Sequence, residues 1–293
     1  MDYNGGLGEI RAQVEAQNVS WDVVDVEMQD LVRGCDEGLF ERLEGTDLPA
    51  APDGTAAADD FLPDTLHQCG VGSIVWSTII AYRTDRFVDQ KPSAIKDIFD
   101  LKTFPGKRGA MKKAQVLLEW ALIADGVPAG DVYKVLATEE GVDRAFGKLD
   151  TIEGDIVWWD THAQAPQLLA DGEVVMTIAA NGRMFTAISQ EKQPFAIIWD
   201  HQIWNLDLWA IPKGSAKSQA ARQFIAFASR PDRMAEQTRY ISYGPVRRAA
   251  AVDPAIQPYL PTAQANFSTA IRNDFEFWAD HADQLDERSL TWA

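Results

Sequence analysis

Cysteine, histidine and positive charge are all scarce in this chain. Its 293 residues hold two cysteines, four histidines, and 27 Lys plus Arg against 44 Asp plus Glu, for a net charge of −17. Cys35 in RGCDEG and Cys69 in HQCGVG cannot complete a zinc site, and no CxxC or HxxxH spacing helps them. No cofactor or metal is therefore expected. The shortage of basic residues argues against nucleic acid and anionic lipid surfaces, both of which demand basic patches. It is compatible with a cationic ligand, and equally with plain solubility. No apolar run of about 18 residues occurs, so nothing is expected to span a membrane. GxSxG, HExxH and Walker-type motifs are missing too. GGLGEI at 5–10 has no strand before it and no GxGxxG spacing, so it reads as a helix lead-in.

What is present is a two-lobe quantity of chain with ordinary apolar content, 46% hydrophobic and 24% charged. Helices are predicted over 6–17, 28–43, 95–101, 113–125, 140–148, 161–170, 184–190, 217–229 and the tail beyond Pro261. The 217–229 helix is expected to pack Ala221, Phe224, Ile225 and Phe227. Strands are predicted over 21–26, 71–82, 156–159, 174–179, 195–199 and 207–211, with a Pro/Ala/Asp loop over 45–65. VGSIVWSTIIAY lacks alternation, as a strand covered on both faces would. Strands alternating with helices imply an α/β architecture with parallel sheets.

Two aromatic clusters stand out. WDHQIWNLDLWAIPKG sets Trp199, Trp204 and Trp209 around one carboxylate, Asp207. Indole faces around an acid can grip an organic cation, or they can be an aromatic core with Asp207 at a turn. In WWDTH, Trp158 and Trp159 end a strand that leads into a helix start, the edge where open α/β sheets bind ligands. Alternation allows only one of the two indoles to face a ligand. His162 is the best candidate for a catalytic base, although a helix-start histidine is more often structural.

The order of motifs resembles the bacterial solute-binding proteins of ABC importers, and within them the spermidine/putrescine-binding branch. WDVV followed by an acid, GSIVWSTIIAY, FPGKRG, LLADGEVVMTIAANGR, DLWAIPKGS and ISYGPVRR carry the likeness, which spans the chain from Tyr3 onward. It implies a class II periplasmic-binding-protein fold: two α/β lobes, two crossover strands and a ligand cleft between the lobes. Lobe one is expected over 1–78 plus 208–258 and lobe two over 79–207 plus 259–293. The resemblance also places the family's first strand before Met1 and makes the protein a non-enzymatic, monomeric, periplasmic component. Its partners would be a membrane permease and a small amine such as putrescine or spermidine.

Carried over by position, Asp207 would pair with a ligand amine. Trp204, Trp159 and Trp76 would form apolar walls, with Tyr243, Glu27 and Gln29 acting from lobe one. His162, Asn181 and Arg183 would act from lobe two. One stretch departs from the polyamine pattern. Where those proteins carry acids after the PGKRG turn, this chain has Lys112 and Lys113. A lysine there repels a second ammonium, so the ligand could be shorter, singly charged, or carry a carboxylate met by Lys112, Lys113 or Arg183. An amino acid, a betaine or a carboxylate-bearing amine is thus the alternative ligand. A cleft hydrolase using Asp207 or His162 is a further alternative, and a receptor serving a sensor kinase another. One Cys35–Cys69 disulfide is expected, which implies an oxidising compartment, the other reading being two unrelated thiols. Against export, the opening MDYNGGLGEIRAQ shows no signal-peptide pattern.

Overall fold

A computed structural model describes residues 6–43 and 47–293. Gly5 of the lead-in and positions 45 and 46 of the predicted loop lie outside them. The chain forms two compact units, Met1–Trp76 with Asn205–Pro258, and Ser77–Trp204 with Tyr259–Ala293. Asp207 and Trp76 thus belong to the first unit, and Trp204 to the second.

The strands are β1 (Val24–Glu27), β2 (Leu66–His67), β3 (Gly70–Arg83), β4 (Arg108–Met111), β5 (Ile156–Trp159), β6 (Met176–Ala180), β7 (Phe195–Ala210) and β8 (Ile271–Arg272). Two of them, β3 and β7, begin in one unit and end in the other. In the first unit β1 runs antiparallel to the end of β7, with Val24 opposite Ala210 and Glu27 opposite Asp207. Burial along β1 alternates, Val24 and Val26 inward and Asp25 and Glu27 on the more open face, as a half-buried strand requires. The helix Met28–Asp36 follows directly and carries Cys35, which is disulfide-bonded to Cys69 just ahead of β3.

In the second unit the strand order is β3, β6, β4, β5. Strand β6 pairs antiparallel with β3, whereas β4 lies parallel to both β6 and β5. The near-continuous apolar run of β3 is buried along almost its whole length, as a strand covered on both faces should be. The core of this unit gathers Ile79, Ile80, Leu118, Trp120, Leu122 and Ile178, each no more than 3% exposed. Gly109 lets β4 lie against β6. A Cβ there would come within 2.3 Å of Thr177 Oγ1. Arg108, also buried, donates to the carbonyls of Ile98, Gly106 and Phe104 at 2.6–2.7 Å and so fixes the turn that enters β4.

Several expectations need correction. The sheet is mixed rather than parallel, because the long strands β3 and β7 meet β6 and β1 antiparallel. The two strands expected over 195–199 and 207–211 are one 16-residue strand. Its polar middle stays extended, with a single positive φ of 49° at His201. The helix begun at Met28 stops at Asp36, since Gly38 takes φ 72° and Phe40 then bridges to Pro212. The helix expected from 113 begins only at Leu117, after Val116 turns through φ 75°. On the helix Ser218–Ala228, Ala221 and Ile225 are buried, but Phe224 and Phe227 are 46% and 52% exposed. The 45–65 loop contains a short helix, Ala57–Asp60.

Candidate functional site

The first unit assembles carboxylates. Residues two apart on a strand share a face, and directly paired residues share it too, so Asp25, Glu27 and Asp207 lie on one face of the β1–β7 ladder. Trp76 Nε1 donates to Asp207 Oδ1 at 2.8 Å, and Ser73 Oγ donates to Asp25 Oδ1 at 2.6 Å. Both donors are neutral. Among the described residues neither Asp25 nor Asp207 has a cationic partner.

The electrostatic consequence follows. Burial raises Asp25 to about 6, against a pull downward from the Ser73 hydroxyl. Burial, then Asp25, then Glu27 drive Asp207 well above its ordinary range, with the Trp76 N–H opposing. Asp25 and Asp207, held by neutral donors, are short of positive charge, and an ammonium would relieve them.

Around this cluster, Val75 and Gly244 form a bridge whose backbone N–H groups are reciprocally bonded at 2.8 and 2.7 Å. It places Tyr243 next to the Val75–Trp76 segment. Gln29, in the first turn after β1, has a buried Oε1 with no hydrogen-bond partner among the described residues. Trp209, paired with Asp25 across the ladder, packs edge-on against Phe224 at 5.5 Å.

The second unit assembles cations. Strands β4, β5 and β6 are parallel, and candidate residues lie at or just after the end of each. Lys112 and Lys113 follow β4, Trp159 closes β5 with His162 shortly after, and Asn181 and Arg183 follow β6. Carboxyl ends of parallel strands are where open α/β sheets take ligands. Lys112 N–H bonds to Trp159 O at 3.1 Å, tying the β4 loop to the end of β5. The His162 ring lies 5.6 Å from that of Trp159. Burial lowers the His162 pKa, and Arg183 and Lys113 lower it further, which places both cations within electrostatic reach of the imidazole. Lys113 and Arg183 are exposed, whereas Trp159 is 1% exposed with its Nε1 unpartnered among the described residues. A buried donor with no partner among the described residues, next to a histidine on which two cations act, suits an anionic group.

The remaining candidates have local roles. Asn181, fully buried, accepts from the Ser77 N–H at 3.0 Å through Oδ1 and so ties the end of β6 to β3. Trp204 packs against Phe267 at 5.9 Å with the Arg272 guanidinium over its ring, so those neighbours occupy it within the second unit. The structure brings Asp207, Trp76 and Glu27 together in one unit and Trp159, His162, Lys113 and Arg183 in the other. Asp25 was not anticipated as a site residue. Its signal was WDVVDVE itself, where two acids alternating with valines share the strand face opposite to them.

Comparison with known proteins matches residues 1–262 to the family described as bacterial extracellular solute-binding protein. A gamma-aminobutyric acid-binding protein of Pseudomonas aeruginosa is 45% identical over 294 residues, covering 100% of this chain and 81% of that protein. The solved structure of the Atu4243-GABA receptor is 34% identical with a TM-score of 0.84, covering 99% of this chain and 87% of its own. An ABC transporter substrate-binding protein from Bradyrhizobium japonicum USDA 110 is 30% identical with a TM-score of 0.86, covering 99% and 88%. The architecture is the two-lobed periplasmic-binding-protein fold.

Proposed function

The chain belongs to the bacterial extracellular solute-binding proteins, and we propose that it captures a small zwitterion of the γ-aminobutyrate kind for an ABC importer. The ligand class is an amine and a carboxylate held apart by a short apolar spacer. Such a molecule needs acceptors at one end and donors at the other. The first unit offers Asp25, Glu27, Asp207 and the Gln29 oxygen, which has no partner among the described residues. The second offers Lys113, Arg183 and the Trp159 N–H, likewise without a partner among them.

The observation that carries this reading is the pairing of like chemistries within each unit, carboxylates in one and cations in the other. It agrees with the two GABA-binding relatives. A polyamine reading fares worse, because a second ammonium would meet Lys113 and Arg183. Among the described residues no group of His, Cys, Asp or Glu is arranged to hold a metal ion, and the reading invokes no chemical step. The Cys35–Cys69 disulfide favours an oxidising compartment, which for a bacterial importer is the periplasm.

The test is calorimetric titration with γ-aminobutyrate, 5-aminovalerate, putrescine and spermidine, repeated as a thermal shift. Ligand that binds only the native state raises apparent stability by RT ln(1 + [L]/Kd). The amino acids are expected to bind and the polyamines to bind far more weakly. Tighter binding of putrescine than of either amino acid would overturn the assignment.

A further inference from the structure

Lys113 sits in the loop between β4 and the helix Leu117–Ala124, and that loop is held from behind by the end of the chain. The Ala114 N–H donates to Asp286 Oδ1 at 2.8 Å. Gln115 Nε2 donates to Asn273 Oδ1 at 3.0 Å. The Val116 N–H donates to Glu119 Oε2 at 2.7 Å, and Glu119 Oε1 in turn accepts from Trp278 Nε1 at 2.8 Å and from Tyr133 Oη at 3.3 Å. Three consecutive loop residues are therefore tied, directly or through one buried carboxylate, to residues 273–286.

Each tie has a local reason. Val116 takes φ 75°, an unfavourable region for a β-branched residue, and the Glu119 carboxylate at its N–H helps hold it there. Glu119 is fully buried, so its charge depends on those three donors. The helix Phe275–Trp292 that brings Trp278 and Asp286 is latched at its far end as well. Arg288 bonds Asp143 at 2.6 Å and Trp292 Nε1 bonds Asp150 at 2.8 Å. This helix begins beyond residue 262, where the family match ends.

We propose that the C-terminal segment 273–292 is a positioning element for the ligand's carboxylate end, acting through Asp286 on the loop that presents Lys112 and Lys113. The inference rests on the reading of Lys113 as a contact to that carboxylate. Asp286 touches no ligand in this scheme. It fixes the backbone from which Lys113 projects, and an unfixed loop must lose conformational freedom on binding.

The experiment is a double-mutant cycle on the full chain, reading the Kd for γ-aminobutyrate in wild type, Lys113→Gln, Asp286→Ala and the double variant. Each single change is expected to weaken binding by about ten-fold, and the double variant by little more than the stronger single, because residues acting on one contact are not additive. Asp286→Asn keeps an oxygen acceptor for the Ala114 N–H and should restore most of the affinity, which a general loss of stability would not do. If Asp286→Ala folds poorly, Gln115→Ala replaces it in the cycle with the same expected coupling. Weakened binding in Lys113→Gln with unchanged binding in the Asp286 and Gln115 variants would overturn the positioning role and leave the carboxylate contact standing. Fully multiplicative losses would also overturn it. No loss in Lys113→Gln would remove the Lys113 contact itself, and this inference with it.

Discussion

Trp76 donates its indole N–H to Asp207 Oδ1 at 2.8 Å, although 131 residues separate them in sequence. The bond satisfies one acceptor of a carboxylate that two other acids push toward protonation. Asp207 is expected to be the main anchor for the ligand ammonium. Asp207→Asn should weaken γ-aminobutyrate binding by ~2–5 kcal/mol, the cost of truncating one partner of a desolvated charge pair. Trp76→Phe keeps the ring and removes the donor, and should cost about 1 kcal/mol. Calorimetric titration of both variants checks the order of the two losses.

Affinity should depend on pH through the same carboxylates. Burial raises Asp25 to about 6, so it takes up a proton in mildly acidic solution, and burial and the neighbouring acids raise Asp207 as well. An ammonium binds the ionised forms and lowers their pKa values, so binding should release protons below neutrality. The Kd is expected to rise as pH falls through about 6. In Asp25→Asn the inflection near 6 should flatten. Titration in buffers of different ionisation enthalpy reads the released proton directly.

Stability carries a separate pH signature from Glu119, whose pKa burial raises to about 7. Its folded-state pKa lies above the unfolded value, so the native state holds the proton more tightly between roughly pH 4 and 7. This group therefore makes the protein lose stability as pH rises through that window, after which its contribution is constant. Glu119→Gln should reduce the difference in unfolding free energy between pH 5 and pH 8. Urea unfolding of the two proteins at both pH values makes the comparison. An equal pH dependence in both would contradict it.

Reduction of Cys35–Cys69, which are 34 residues apart, should cost ~3–4 kcal/mol by the loop-entropy relation. Thermal unfolding with and without reductant, alongside Cys35→Ser, gives the measurement. The melting temperature should fall by similar amounts in the reduced protein and in the variant.

Much of the architecture was legible because it rests on periodicity. The largely apolar run over 71–82 reads directly as a strand buried on both faces, and WDVVDV as a buried strand, of which Val24–Glu27 proves buried on one face only. The polar middle of β7 was not legible. Asp200, His201 and Asn205 interrupt the apolar pattern, while ladder pairing and the side-chain bonds of Asp200 keep the backbone extended. Lys112 and Lys113 could be seen to conflict with a diamine, since charge sign is a property of composition alone. Asp25 was harder to find. Its role depends on which residue faces it across the sheet, and the partner strand lies far away in sequence. The ties that set the Lys113 loop were beyond reach for the same reason, since Asp286 and Trp278 come from the far end of the chain.

The pairing of Val24 with Ala210 also has a consequence for the order of synthesis. Translation at ~5–20 residues per second leaves roughly 10–40 s between the two positions. For that interval the amino-terminal strand has no ladder partner and presents an open hydrogen-bonding edge, the kind that invites wrong pairing. Asp25 and Glu27 lie on that strand. The same acids that are proposed to meet a ligand ammonium in the finished protein would discourage edge-to-edge association in the unfinished one.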